Sequence, residues 1–362
     1  MSKMKAARWY APKDLRVEQV DAPTITDADD VIIKVKYCGI CGTDLHEYRG
    51  PAKSIPVDKP HPLTGHKAPG IMGHEISGVV TEVGSNVTNV KPGDRVCVMP
   101  LHRCGKCYFC QRGLYQLCVM QAGTGLQYYW GGFAEYVKLH SYNVFKIPDS
   151  MSFRTAGVVE LTAIAVYAMQ RGNVRPGDTV FISGGGPSGV LHMMAAFAYG
   201  AKAVYMAEVM EGRRSRLVQF GATEAFDPTA CDIEKEIRDR TDGLGVDVAI
   251  DCSGSQGGMD SCFNVLRKRG MYVQSGLATR RLEVDAWKWA ENDFNMCGIW
   301  CYDTYDFPRV IDLVANGAIP AEKAITAVYS LDDVVKGFEE LSFDKEGKHL
   351  KILVKVDESE QD

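Results

Sequence analysis

The chain has 362 residues, more than one ordinary hydrophobic core organises and suited to two domains. Hydrophobic residues make up 46% and charged residues 24%, the balance of a soluble globular protein, while a net charge of -5 argues against a nucleic-acid binder. Met1–Tyr10 lacks the apolar run of a secretory signal, and no apolar stretch approaches the roughly 20 residues of a membrane helix. Neither nucleic acid nor a membrane is therefore an expected partner, and a cytoplasmic location is expected. In such a chain twelve cysteines, four of them tightly clustered, read as metal ligands or catalytic groups before disulfides.

The first ~150 residues carry short β-type runs punctuated by Gly, Pro and Asp. Val31–Tyr37, Ile76–Val83, Arg95–Met99 and Phe133–Leu139 are the expected strands, with long loops at Glu47–Ile71 and Leu101–Tyr129. Near Arg154 the pattern changes. Thr155–Gln170 is an apolar helix candidate, and strand-like and helix-like segments then alternate. They are Thr179–Ile182, Ser188–Tyr199, Ala203–Ala207, Gly212–Phe220, Asp232–Arg240, Asp247–Asp251, Gly258–Leu266 and Gly270–Ser275. Such βαβα alternation predicts a doubly wound parallel sheet with helices on both faces, an α/β fold. After Asp303 a helix (Pro308–Ala315) and strand-like Ala327–Leu331 and Leu350–Val354 read as a return to the first domain. The tail Asp357–Asp362 is expected to be disordered.

Within the alternating region, Phe181-Ile182-Ser183 leads at once into Gly184-Gly185-Gly186-Pro187-Ser188-Gly189. Gly184, Gly186 and Gly189 occupy the three glycine positions of a dinucleotide fingerprint, which allow a tight turn, close approach of a pyrophosphate and close helix–strand packing. The phosphates would sit where free N–H groups and the helix dipole favour an anion. Glu208 follows the next strand at about the ~20-residue offset expected of the acid that binds the ribose of NAD. Arg213 and Arg214 come soon after and could host a 2′-phosphate, so NADP stays open while NAD is favoured.

Two sets of residues have metal chemistry. Cys104, Cys107, Cys110 and Cys118 have the spacing to close a tetrahedral thiolate shell around zinc, leaving no position for substrate. The other set is dispersed. Cys41, in Cys38-Gly39-Ile40-Cys41-Gly42-Thr43-Asp44-Leu45-His46, and His74, in Gly73-His74-Glu75, can form part of an open site needing three protein ligands. On chemistry alone the third ligand could be Cys38, Glu75 or His46.

These motifs, in this order, resemble the zinc-dependent medium-chain dehydrogenases over nearly the whole chain. The run Gly73-His74-Glu75-x-x-Gly78-x5-Gly84-x-x-Val87 matches the zinc alcohol dehydrogenase signature, and the four-cysteine lobe, Gly93-Asp94-Arg95-Val96 and the fingerprint follow it. Tyr37–Tyr48 and the insertion with His61-Pro62-Leu63-Thr64-Gly65 resemble the butanediol and polyol (sorbitol) branch. The resemblance implies a GroES-like β-rich catalytic domain formed by residues 1–155 and 303–362, and a Rossmann domain at 156–302. It implies that Cys41 and His74 bind a catalytic zinc, with Glu75 and Glu160 completing the shell directly or through water, and that Asp44 orients His74. In this branch a proline usually follows that glutamate, where this chain has Leu161, and Ser188 stands where an apolar fingerprint residue is common.

The implied reaction moves hydride between NAD and a secondary alcohol or vicinal diol. The leading substrate is 2,3-butanediol (acetoin in the reverse direction), and a polyol is the alternative. Thr43 is the expected acceptor of the substrate proton, and His46 the group that passes it toward solvent. Met296–Tyr302 is expected to pair with its copy in a homodimer or homotetramer. A non-enzymatic zinc-lobe interaction protein is the alternative from another class.

Overall fold

The computed structural model describes residues 2–357 and 359. Its six-stranded sheet is parallel throughout, in the spatial order Glu224–Phe226, Ala203–Ala207, Thr179–Ser183, Val246–Asp251, Leu266–Gln274, Asn295–Gly298. In chain order this is third, second, first, fourth, fifth, sixth. It is the doubly wound arrangement in which the direction of winding reverses between the first and fourth strands, and ligands bind outside the carboxyl ends of the strands there. Strand Thr179–Ser183 is buried along its whole length, as a central parallel strand covered on both faces must be.

The largest sheet has seven strands and gathers the first part of the chain. Glu75–Val83 pairs antiparallel along most of Asp30–Gly39, and Tyr136–His140 pairs antiparallel with its first half, Asp30–Lys34. Lys351–Lys355 also pairs with Asp30–Gly39, and Ile325–Ser330 pairs parallel with Lys351–Lys355, so the last described strand returns to the first sheet. This return matters for the site, because it carries Lys351 into the interior.

Several sequence expectations shift. The single helix expected over Thr155–Gln170 is two helices, Phe153–Ala156 and Val159–Arg171, separated at Gly157-Val158. The strand expected from Phe133 begins at Tyr136. Phe133 instead exchanges backbone hydrogen bonds with Met72 and Ala7, and Ala134 bridges Ala6, so this stretch serves another sheet. Part of the expected loop Glu47–Ile71 is helical, the last turn of Gly42–Arg49, and two N-terminal strands, Lys3–Ala11 and Asp14–Asp21, form a hairpin the pattern did not single out. The tail is not disordered at its start: Asp357 pairs with Lys34 at 2.7 Å and Lys36 at 2.8 Å. Residues 358 and 360–362 lie outside the described residues. No helix among the described residues is long and apolar enough to cross a membrane.

Candidate active site and metal centres

Cys41 leaves the strand Asp30–Gly39 and stands at the N-terminus of helix Gly42–Arg49. The buried carboxylate of Asp44 accepts from the Cys41 backbone N–H at 3.0 Å, which satisfies an otherwise unpaired donor of the first turn. Its other oxygen lies 3.4 Å from Nδ1 of His74. One aspartate thus caps the helix that presents Cys41 and lies against the ring of His74. Gly73, just before, has φ +98°, and a Cβ there would come within 2.7 Å of the Cys38 sulfur. Here the turn requires glycine.

The ligand atoms of Cys41, His74 and Glu75 all lie within 4.8 Å of one another. Burial by itself would lower the pKa of His74, but the neighbouring Asp44 and Cys41 hold it well above its ordinary value. A buried cluster of acidic and sulfur donors around an imidazole suits a divalent cation. Of the three candidates for a further ligand, Cys38 is corrected: it is fully buried in the apolar core, burial pushes its thiol well up, and it is not in the cluster. His46 is also outside the cluster, exposed on the helix that holds Cys41.

Glu75 has a partner the sequence did not announce. Nζ of Lys351 lies 2.6 Å from its carboxylate, with the two side chains 1% and 0% exposed, and Nζ also donates to the carbonyl of Ile40 at 3.0 Å. Burial works against the ammonium, yet Glu75 and then Cys41 raise the pKa of Lys351. The carboxylate fills the space beside Gly39, where a Cβ would sit 1.9 Å from Oε2. Glu160, in the first turn of helix Val159–Arg171, is not in the tight trio but lines the same cavity as Cys41 and His74. Burial raises its pKa to about 7, partly opposed by His74 and assisted by Glu75.

That cavity holds about 210 Å³. Its lining combines Cys41, Thr43, His74 and Glu160 with the apolar side chains of Leu126, Ile164, Leu277, Ile299 and Trp300. The Thr43 hydroxyl is 3.9 Å from the Cys41 sulfur. His46 does not line the cavity, and partial burial together with Arg49 and Lys53 lowers its pKa. Its neighbour Glu47 turns inward and accepts from the backbone N–H groups of Lys53, Ser54 and Ile55, fastening a loop whose Ser54 reaches the cavity. The aromatic run Tyr128-Tyr129-Trp130 is a packed loop rather than a substrate wall, with Tyr128 against His102 and Tyr129 edge-on to Trp130.

The second cluster is the cysteine lobe. The sulfurs of Cys104, Cys107, Cys110 and Cys118 lie within 4.8 Å of one another, and all twelve cysteines are free thiols. Backbone N–H groups of Cys110 and Val119 pull Cys107 down to about 6, which favours the thiolate a metal needs, while burial pushes Cys110 up to about 12.

The fingerprint forms one wall of a groove of about 590 Å³ at the carboxyl ends of the parallel strands. Gly189 is packed so closely that a Cβ would fall 1.9 Å from the carbonyl oxygen of Gly184. At Gly186 the nearest atom to a Cβ is Nη1 of Arg213 at 3.6 Å, so this glycine keeps open space rather than relieving a clash inside the protein. That is the cradle a phosphate backbone would fill. Buried Glu208 accepts from the backbone N–H of Gly185 at 2.7 Å and of Met210 at 2.8 Å, and lines the groove with lone pairs to spare. Arg213 lines it too, whereas Arg214 is occupied by the carbonyl of Glu208 and by Asp227.

Two family profiles match the chain: an alcohol dehydrogenase GroES-like domain over residues 27–149 and a zinc-binding dehydrogenase domain over 187–316. The chain is 38% identical to the (R,R)-butanediol dehydrogenase of Bacillus subtilis over 97% of its own length and 99% of that protein. It is 31% identical to D-xylulose reductase A of Aspergillus oryzae over 94% and 93% of the two chains. Among solved structures, the 2R,3R-butanediol dehydrogenase of B. subtilis superposes with a TM-score of 0.91, covering 98% of this chain and all (100%) of that one at 38% identity. A putative zinc-binding dehydrogenase from Sinorhizobium meliloti, bound to NADP, superposes with a TM-score of 0.89 at 30% identity, covering 98% and 100%.

Proposed function

The chain belongs to the zinc-binding alcohol dehydrogenases with a GroES-like domain, and from that premise we propose that it interconverts a vicinal diol and its hydroxyketone, 2,3-butanediol and acetoin foremost, with NAD as hydride carrier. The observation that carries the reading is the convergence of Cys41, His74 and Glu75 beside a small cavity that Thr43 and Glu160 also line. In this reading Cys41 and His74 hold the catalytic zinc, and Glu75 or Glu160 completes its shell. The four lobe cysteines hold a second zinc that only fastens the loop. Residues 1–155 and 303–362 form the catalytic unit, and 156–302 the cofactor unit.

Zinc supplies Lewis acidity at the substrate oxygen, and NAD accepts the hydride. The protein's own groups do the rest. The Thr43 hydroxyl takes the substrate's hydroxyl proton as it gives up its own, and His46, on the exposed face of the same helix, hands the released proton to solvent. Asp44 keeps the His74 ring in register, and Glu208 accepts from the ribose hydroxyls. The apolar lining of Leu126, Ile164 and Ile299 receives the alkyl ends of a four-carbon diol. A longer polyol would press hydroxyls against those apolar side chains, which favours the butanediol reading over a polyol one.

A second copy of the chain is the proposed protein partner, pairing along the edge strand Asn295–Gly298; near it in the chain, Trp287 is 81% and Trp300 46% exposed. Retention of twelve free thiols, eight of them outside the lobe, suits a reducing cytoplasm.

A panel of diols and alcohols, assayed for NADH formation with NAD and with NADP, tests the reading. Highest efficiency with 2,3-butanediol and NAD is expected. Preference for a five- or six-carbon polyol would move the enzyme to the polyol branch, and no NADH from any alcohol would favour a non-enzymatic zinc-lobe interaction protein.

A further inference from the structure

The cysteine lobe leads directly into the substrate cavity. Gln121, three residues past Cys118 and tied to its carbonyl by a backbone hydrogen bond of 2.9 Å, lines the same cavity as Cys41, Thr43 and His74. Its side-chain oxygen accepts from the indole N–H of Trp300 at 2.8 Å, and its Nε2 lies 3.7 Å from the sulfur of Cys301. An indole N–H can only donate, so the amide is held one way round, oxygen toward Trp300 and nitrogen toward Cys301. Cys301 also lines the cavity, close enough to Glu160, His74 and Cys41 to feel their charges. The amide nitrogen is thus on the side of the cavity where the metal ligands gather.

That nitrogen carries two hydrogens. One has the Cys301 sulfur, a weak acceptor, and no acceptor among the described residues takes the other. Gln127 is the second amide on the lining, but the backbone N–H of Gly123 holds its oxygen at 2.9 Å, so its orientation is set from within its own loop. A vicinal diol differs from a simple secondary alcohol by one hydroxyl on the adjacent carbon. In the hydroxyketone that hydroxyl is unchanged, so it needs the same partner in both directions of the reaction. Among Leu126, Ile164 and Ile299 it gives up water and must find a donor inside the cavity.

We infer that Nε2 of Gln121 donates to the oxygen of the second, non-reacting hydroxyl, which makes this glutamine the residue that selects a vicinal diol over a simple secondary alcohol. This deepens the diol reading above and rests on it. Trp300 fixes which end of the amide meets the substrate.

The test compares 2,3-butanediol with 2-butanol, which has the same carbon skeleton without the second hydroxyl. The wild-type holoenzyme should show higher kcat/KM with the diol. Gln121→Met keeps an unbranched side chain of similar size, and exposed Trp300 can turn its freed N–H to water, so the variant should fold. It should lower the ratio of the two efficiencies roughly 3- to 10-fold, the worth of one net hydrogen bond, by losing efficiency with the diol alone. The enzyme–NADH complex binds both alcohols without turnover, and titrations read by NADH fluorescence should show the same loss of affinity for the diol only. An unchanged ratio in Gln121→Met, an equal loss with both alcohols, or a ratio that falls in Gln127→Met instead would overturn the assignment. A wild-type enzyme with no preference for the diol, or with no activity on either alcohol, would overturn the diol reading beneath it.

Discussion

Replacing Lys351 by methionine keeps most of the side-chain volume and removes the charge that faces Glu75. Nζ lies 2.6 Å from the carboxylate, donates to the carbonyl of Ile40 one residue before Cys41, and is sealed from water at 1% exposure. Truncating one member of such a pair costs about 3–5 kcal/mol, because the other charge stays buried without its partner. Zinc held by Cys41 and His74 would offset part of the orphaned charge, since an oxygen of Glu75 belongs to the same cluster. The destabilisation of Lys351→Met should therefore be largest in chelated protein and clearly smaller with zinc present. Urea unfolding under both conditions reads it. Glu75→Gln combined with Lys351→Met removes both charges and should recover much of the loss. A loss below about 1 kcal/mol in the chelated single variant, the range of an exposed pair, would refute the reasoning. So would a double variant no more stable than the single one.

Thr43→Ala should nearly abolish turnover while zinc content and NAD affinity stay at wild-type values, and normal turnover by a zinc-loaded variant would remove Thr43 from the proton path. Stability should fall as pH drops from about 6.5 toward 4 through three histidines, because burial lowers His102 to about 3 and His66 and His192 to about 4. In that window the unfolded chain takes up protons that the folded one refuses, so stability rises with pH. Glu160, raised to about 7 by burial, works in the opposite sense between about 4.5 and 7. Glu160→Gln should accordingly steepen the acid loss in chelated protein, and urea midpoints that are flat between pH 6.5 and 5 in that variant would contradict the account. Glu208 should give higher kcat/KM with NAD than with NADP, and Glu208→Gln should narrow the gap as Arg213 meets the added phosphate. Equal or better efficiency of the wild-type enzyme with NADP would overturn that selection.

What could be read from the sequence was whatever is local in the chain. The fingerprint, the strand before it and the acid after it lie within one βαβ unit, and the cysteine lobe spans Cys104 to Cys118, so spacing alone brings their chemistry together. Cys41 and Asp44 share the first turn of a helix for the same reason. Residues united only by tertiary pairing were not legible. Lys351 reads as an ordinary charged residue at the start of an apolar strand, and nothing before the sheet is assembled places it against Glu75. Glu160 was found only through resemblance, since its approach to Cys41 and His74 depends on how helix Val159–Arg171 packs. His192 lies within an apolar helix pattern, and its contact with Ser275, just past the strand Leu266–Gln274, exists only once the sheet is assembled. The strand expected from Phe133 failed for a related reason, because periodicity cannot tell which of two sheets claims a backbone.

The central claim is that one chain holds two zinc ions with separate tasks, one closed by Cys104, Cys107, Cys110 and Cys118 and one open beside Thr43. Zinc per chain, measured by elemental analysis together with turnover, tests it directly on three proteins. The wild-type enzyme should carry two ions. Cys41→Ser should carry one, unfold near the wild-type midpoint and be inactive. Cys107→Ser should also carry one and unfold earlier, but retain turnover per folded molecule. A single zinc in the wild-type chain, or activity that survives in a Cys41→Ser protein lacking its second ion, would contradict the account.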